Sequence, residues 1–115
     1  MALLPRVIPV ASKEKLQNFI DDIRNYPNKE ERDDFVNTFG GAWESWYYQE
    51  LDGKPHIIAI TEGNNFDAGF AQYATSEQPF FVWFRQQILE LTGLDMRQNP
   101  GGATSEHIFT FGPDL

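Results

Sequence analysis

Residues 43–61, Trp-Glu-Ser-Trp-Tyr-Tyr-Gln-Glu-Leu-Asp-Gly-Lys-Pro-His-Ile-Ile-Ala-Ile-Thr, constrain the fold of this chain more than any other stretch. β-Branched and aromatic residues dominate both halves, as in paired strands. Between them Asp52-Gly53 suits a two-residue type I′ turn, which needs positive φ at both central positions. As a two-residue turn it pairs Gln49 with His56, Tyr47 with Ile58 and Ser45 with Ile60, whereas a longer loop including Lys54-Pro55 would change these partners. On the opposite face Tyr48 meets Ile57, Trp46 meets Ala59 and Glu44 meets Thr61. A half-exposed antiparallel sheet alternates apolar with polar residues. This hairpin does not, because Trp46, Tyr48, Ile57 and Ala59 share one face while Trp43, Tyr47, Leu51, Ile58 and Ile60 share the other. Both faces need a cover.

The flanking segments supply one. Arg6–Val10 reads as a first strand, with Pro5 and Pro9 at strand ends or on an unpaired side, since proline donates nothing to a ladder. Ser12 is placed as an N-cap with Glu14 in the first turn, and Leu16, Phe19, Ile20 and Ile23 follow at helical spacing up to Tyr26-Pro27. Asn28 with Glu31 three residues on resembles a capping box for a short second helix, stopped by Gly40-Gly41. After the hairpin, Asn64 or Asn65 caps a helix carrying Phe66, Phe70, Tyr73 and Ala74. Ser76 is expected to open a further helix, with Pro79 in its first turn and Phe81, Phe84, Ile88 and Leu91 as its stripe. Thr92-Gly93 ends it, residues 94–104 form a loop, and His107–Phe111 is expected as a last strand.

At 115 residues the chain is expected to form one domain, residues 1–115. Having no cysteine, it makes no disulfide, no Cys-ligated zinc site and no thiol chemistry. A formal net charge of −8 repels phosphate backbones, which argues against nucleic acid as a partner. No apolar run approaches the roughly 20 residues of a membrane span, and Met-Ala-Leu-Leu-Pro-Arg lacks the features of a signal peptide, so no membrane association and a cytoplasmic location are expected.

The element order is strand, helix in two pieces, strand, strand, helix in two pieces, strand. This is the ferredoxin-like βαββαβ plan of the α+β class: a four-stranded antiparallel sheet with helices on one face. With no element left to cover the other face, a second copy packing sheet to sheet is the simplest cover. The element order, the Asp52-Gly53-Lys-Pro-His-Ile-Ile hairpin and Ser76-Glu-Gln-Pro-Phe-Phe-Val-Trp-Phe together resemble the dimeric α+β barrel superfamily. More narrowly, they resemble an uncharacterised bacterial group related to antibiotic-biosynthesis-type monooxygenases. The resemblance implies a homodimer. In the enzymes of that superfamily it also implies a substrate cleft between sheet and helices.

No catalytic, metal or nucleotide motif of recognised spacing is present, and no cofactor or metal is expected. His56 and His107 are the only histidines. The bland reading of each is a structural hydrogen-bonding residue on a strand. The sharper reading makes His56 a base and Tyr47 a hydrogen-bond donor, with Trp43, Glu62, Trp83 and Phe84 lining an aromatic pocket, provided that their face of the sheet meets the helices. Two functions follow as expectations. The first is a non-catalytic homodimer that binds a small apolar or aromatic molecule. The alternative is a cofactor-independent monooxygenase or isomerase acting on a small aromatic or polycyclic compound.

Overall fold

The computed structural model describes residues 2–39, 43–100 and 102–113, and the expected Gly40-Gly41 stop lies outside them. The elements run β1 (Ala2–Pro9), α1 (Lys13–Arg24), α2 (Lys29–Val36) with a short 3-10 turn at Asn37–Phe39, β2 (Glu44–Leu51), β3 (Lys54–Gly63), α3 (Phe66–Thr75) and α4 (Pro79–Thr92). The class is α+β, with a three-stranded antiparallel sheet in the order β1-β3-β2.

The hairpin forms in the register that its turn dictates, with Gln49 opposite His56, Tyr47 opposite Ile58 and Glu44 opposite Thr61. Asp52 and Gly53 have φ of 52° and 71°, the two positive values that a type I′ turn requires. Gly53→Ala places a Cβ in the left-handed region and is expected to cost about 1–2 kcal/mol, seen as a lower urea midpoint with an unchanged slope.

Caps set the helix boundaries. Ser12 accepts from Lys15 N at 3.1 Å, and Asn28 Oδ1 accepts from Glu31 N at 3.1 Å, each satisfying an orphan donor of the first turn. Asn65 caps α3 through Ala68 N. The second half of the chain departs from expectation at Ser76. It closes α3 as its C-cap, while α4 starts at Pro79 behind Gln78, whose Oε1 accepts from Phe80 N at 2.6 Å. The proline at position 79 favours this later start, because its fixed φ suits the first helical position.

The core lies between the helices and one face of the sheet. Ile57, Ala59 and Thr61 of β3 are buried under Leu16 and Phe19 of α1 and Phe80, Phe84, Ile88 and Leu91 of α4. Phe35 of α2 stands 4.4 Å from Phe84 and 4.6 Å from Tyr73 between ring centroids, and Phe19 stands 5.2 Å from Phe84. Each such ring contributes roughly 2–3 kcal/mol on burial.

β1 carries its prolines where they cost nothing. Val10 N donates to Pro55 O at 3.1 Å, so by strict alternation the even residues of β1 bond to β3 and the odd ones turn their backbone groups outward. Pro5 and Pro9 are odd, so no ladder bond is lost. The same alternation sends Leu3 and Val7 to the sheet face away from the helices, beside Ile58, Ile60 and Tyr47. Leu3, Val7 and Tyr47 are each more than half exposed.

The expected fourth strand is not present: residues 103–111 join no ladder, and Ile108, Phe109 and Phe111 are 80%, 60% and 82% exposed. Ser105 Oγ donates to Pro5 O, bringing the tail to the free edge of β1. That edge lacks the two N–H groups of Pro5 and Pro9, so a ladder there is short of donors. An antiparallel run from Ser105 opposite Pro5 also reaches the start of β1 at Ala2 before Phe109. Strand propensity in this segment finds no ladder partner among the described residues.

Candidate functional site

A cleft of about 230 Å³ with mostly aromatic walls opens where one end of the sheet meets α2 and α4. Trp43 and Glu44 enter it from the start of β2, Thr61 and Glu62 from the end of β3, and Phe35 and Phe84 from the helices. Cross-strand geometry explains the grouping. Glu44 and Thr61 are directly opposed on the helix-facing side, and Glu62 N donates to Trp43 O at 2.9 Å as the last rung.

The floor of the cleft is polar. Arg6 Nη2 donates to Glu44 Oε1 at 2.7 Å and to Thr61 Oγ1 at 3.1 Å, while Thr61 Oγ1 donates in turn to Glu44 Oε1. Trp46 Nε1 donates to Glu44 Oε2 at 2.8 Å. Arg6 is buried, with its guanidinium carbon 5.4 Å from the Phe70 ring centroid. Charge-assisted hydrogen bonds of this kind are the stronger ones. Three donors already engage the Glu44 carboxylate, so it is built to hold and orient. Tyr73 closes the inner wall. Burial pushes its phenol well above the ordinary range, with the Glu44 carboxylate adding to the rise and the Arg6 guanidinium opposing it. The hydroxyl is therefore neutral at physiological pH. Behind this network a cavity of about 30 Å³, lined by Ile57, Ile88 and Met96 among others, is about the volume of one water molecule.

At the other wall Arg32 Nη1 donates to the carbonyls of Ile23 and Arg24 at 3.3 and 3.2 Å. A cation at these last carbonyls complements the negative end of α1 and ties α2 to it. Among the described residues the buried cations are Arg6 and Arg85 of α4, whose Nη1 donates to Tyr73 O and Ser76 O at the end of α3. Burial lowers its pKa, with Arg97 as the next contributor.

The structure divides the residues expected in a pocket between the two sides of the sheet. Trp43, Glu62 and Phe84 line the cleft. Trp83 lies apart from it, packed among Tyr26, Phe80 and Phe19 at 5.2, 5.5 and 5.8 Å. His56 and Tyr47 stand on the face turned away from the helices, so the condition for their joining that pocket is not met. His56 Nδ1 donates to Lys54 O at 2.8 Å, and Tyr47 is 57% exposed. His107 lies in the tail with its Nε2 2.9 Å from Thr110 Oγ1.

Arg6, Glu44, Thr61, Tyr73 and Arg32 were not singled out from sequence. One signal was available for two of them, since the turn register already opposed Glu44 to Thr61. For Arg6 the available signal was its being the lone charge in an otherwise aliphatic strand.

Among the described residues no group of three or more His, Asp or Glu side chains is placed to hold a metal ion, and no helix is long and apolar enough to cross a membrane. Compared with known proteins, the chain matches no family model, no curated protein and no solved structure.

Proposed function

We propose that this chain is a homodimeric binding protein that takes a small, largely apolar or aromatic molecule in the cleft beside Glu44. The observation that carries this reading is the cleft itself. Its aromatic walls and its few fixed polar groups are the usual make-up of a small-molecule site, and its volume of about 230 Å³ suits a ligand smaller than most. Trp43, Trp46, Phe35 and Phe84 offer ring faces, while Glu44, held by Arg6, Thr61 and Trp46, offers a rigid acceptor. The homodimer part rests on the outer sheet face, where Leu3, Val7 and Tyr47 lie exposed. The order of elements from β1 to α4 and the Asp52-Gly53 hairpin are compatible with a dimeric α+β barrel, although the closing strand of that plan is absent among the described residues.

Tryptophan fluorescence tests the ligand part. In a Trp83→Phe background both remaining tryptophans, Trp43 and Trp46, line the cleft. Titration with neutral bicyclic aromatics such as indole or 2-naphthol is expected to give saturable quenching. Val36→Trp, which fills the mouth from a half-exposed position, abolishes it in a Trp43→Phe/Trp46→Phe background when binding is followed by ligand fluorescence. Linear, non-saturating quenching overturns the proposal. For the dimer, light scattering at micromolar concentration is expected to give twice the chain mass.

The monooxygenase or isomerase alternative, with His56 as base and Tyr47 as donor, would place its chemistry on the outer sheet face. The cleft is the better-formed concavity, and the binding reading follows it.

A further inference from the structure

The outer sheet face and the C-terminal segment 105–111 are the two bare apolar surfaces of the described residues, and they belong to one another across two copies. We propose that residues 105–111 act as an arm that leaves its own chain at β1 and lies on the outer sheet face of a second copy, reciprocally. This rests on the homodimer reading and says which element makes the contact.

Three features support it. First, the arm has the chemistry of a buried strand but buries nothing at home. The rings of Phe109 and Phe111 meet edge to face with centroids 6.2 Å apart, and with Ile108 they are 60–82% exposed. Its own β1 edge does not offer a full ladder, for the donor and register reasons given above. Second, the reach is right. Seven extended residues span roughly 23 Å at ~3.3 Å each, enough to cross three strands set ~4.8 Å apart. Ser105 pins the root of the arm at the sheet edge through Pro5 O.

Third, charge favours this contact over the other ways in which two copies could meet. The chain carries a formal net charge of −8, so two copies repel each other over most approaches. On the outer face, built from odd residues of β1 and β2 and even residues of β3, the one carboxylate by register is Glu62, which sits at the end of β3 and also borders the cleft, among side chains such as Leu3, Val7, Tyr47, Ile58 and Ile60. The arm beyond Glu106 is uncharged from His107 to Phe111, counting histidine as neutral. Arm on face is therefore an approach that brings few like charges together. Exchange between two copies closes on itself and satisfies both arms at once.

The absence of cysteine gives a clean test. Full-length Phe109→Cys is mixed with full-length Val7→Cys or Tyr47→Cys, all at exposed positions, and oxidised at micromolar concentration. A covalent heterodimer with at least one of the two face variants is the expected product. Removal of residues 105–115 is expected to loosen the dimer at least tenfold by sedimentation. A dimer that gives no cross-link with either variant overturns the arm while leaving the homodimer standing. A full-length chain that is monomeric at these concentrations overturns both.

Discussion

Glu44→Ala is expected to destabilise the protein by about 3 kcal/mol, because it strips the counter-charge from a buried guanidinium. Arg6 would lose the carboxylate 2.7 Å away while keeping contacts such as the Thr61 hydroxyl and the Phe70 ring. The reverse change should be milder. The Glu44 side chain retains 26% exposure against 7% for Arg6, so in Arg6→Met the carboxylate turns to water and keeps its Thr61 and Trp46 donors. We expect about 1–2 kcal/mol there, in line with an uncompensated but partly solvated group. The double variant Arg6→Met/Glu44→Leu should be closer to the parent than Glu44→Ala, since a matched apolar pair removes the desolvation cost along with the attraction. Urea unfolding of the three variants checks the order. Equal losses for the two single variants would mean that the pair is more solvated than its geometry implies.

Phe84→Ala is expected to cost about 3–5 kcal/mol, the range for truncating a buried phenylalanine. Its ring meets Phe19, Phe35, Tyr73 and Phe80 at 4.4–5.9 Å, and it also forms part of the cleft wall. Against the roughly 5–15 kcal/mol of a typical domain, that is a large fraction of the whole. Unfolding by urea, with aromatic probes lost in the same transition, reads it. A loss under 1 kcal/mol would mean that the aromatic cluster repacks, and that the walls of the cleft are not fixed in advance of binding.

The local features were the legible ones. Asp52-Gly53 set the whole hairpin register because a two-residue turn leaves one pairing. Ser12, Asn28 and Asn65 marked helix starts because a cap acts on amides only two or three residues away. What the sequence did not yield is non-local. Arg6 meets Glu44 across 38 residues, and the meeting depends on β1 lying beside β3 with its even residues turned inward. Tyr47 and His56 shared a face with each other, as read from the hairpin. Which face the helices would choose depended on the burial of Ile57, Ala59 and Thr61, and the hairpin alone, apolar on both sides, did not decide it. The segment His107–Phe111 failed as a strand for the same kind of reason. Its composition favours extended backbone, but a ladder needs a neighbour with donors to share.

The placement of Pro5 and Pro9 bears on how such a chain stays in solution. A bare strand edge can recruit another edge, and then another, without limit. Two missing amides on the outward side of β1 interrupt that growth at this edge. Restoring both amides with Pro5→Thr/Pro9→Thr would leave the β1–β3 ladder intact and should convert a soluble sample into one that seeds thioflavin-positive aggregates on storage.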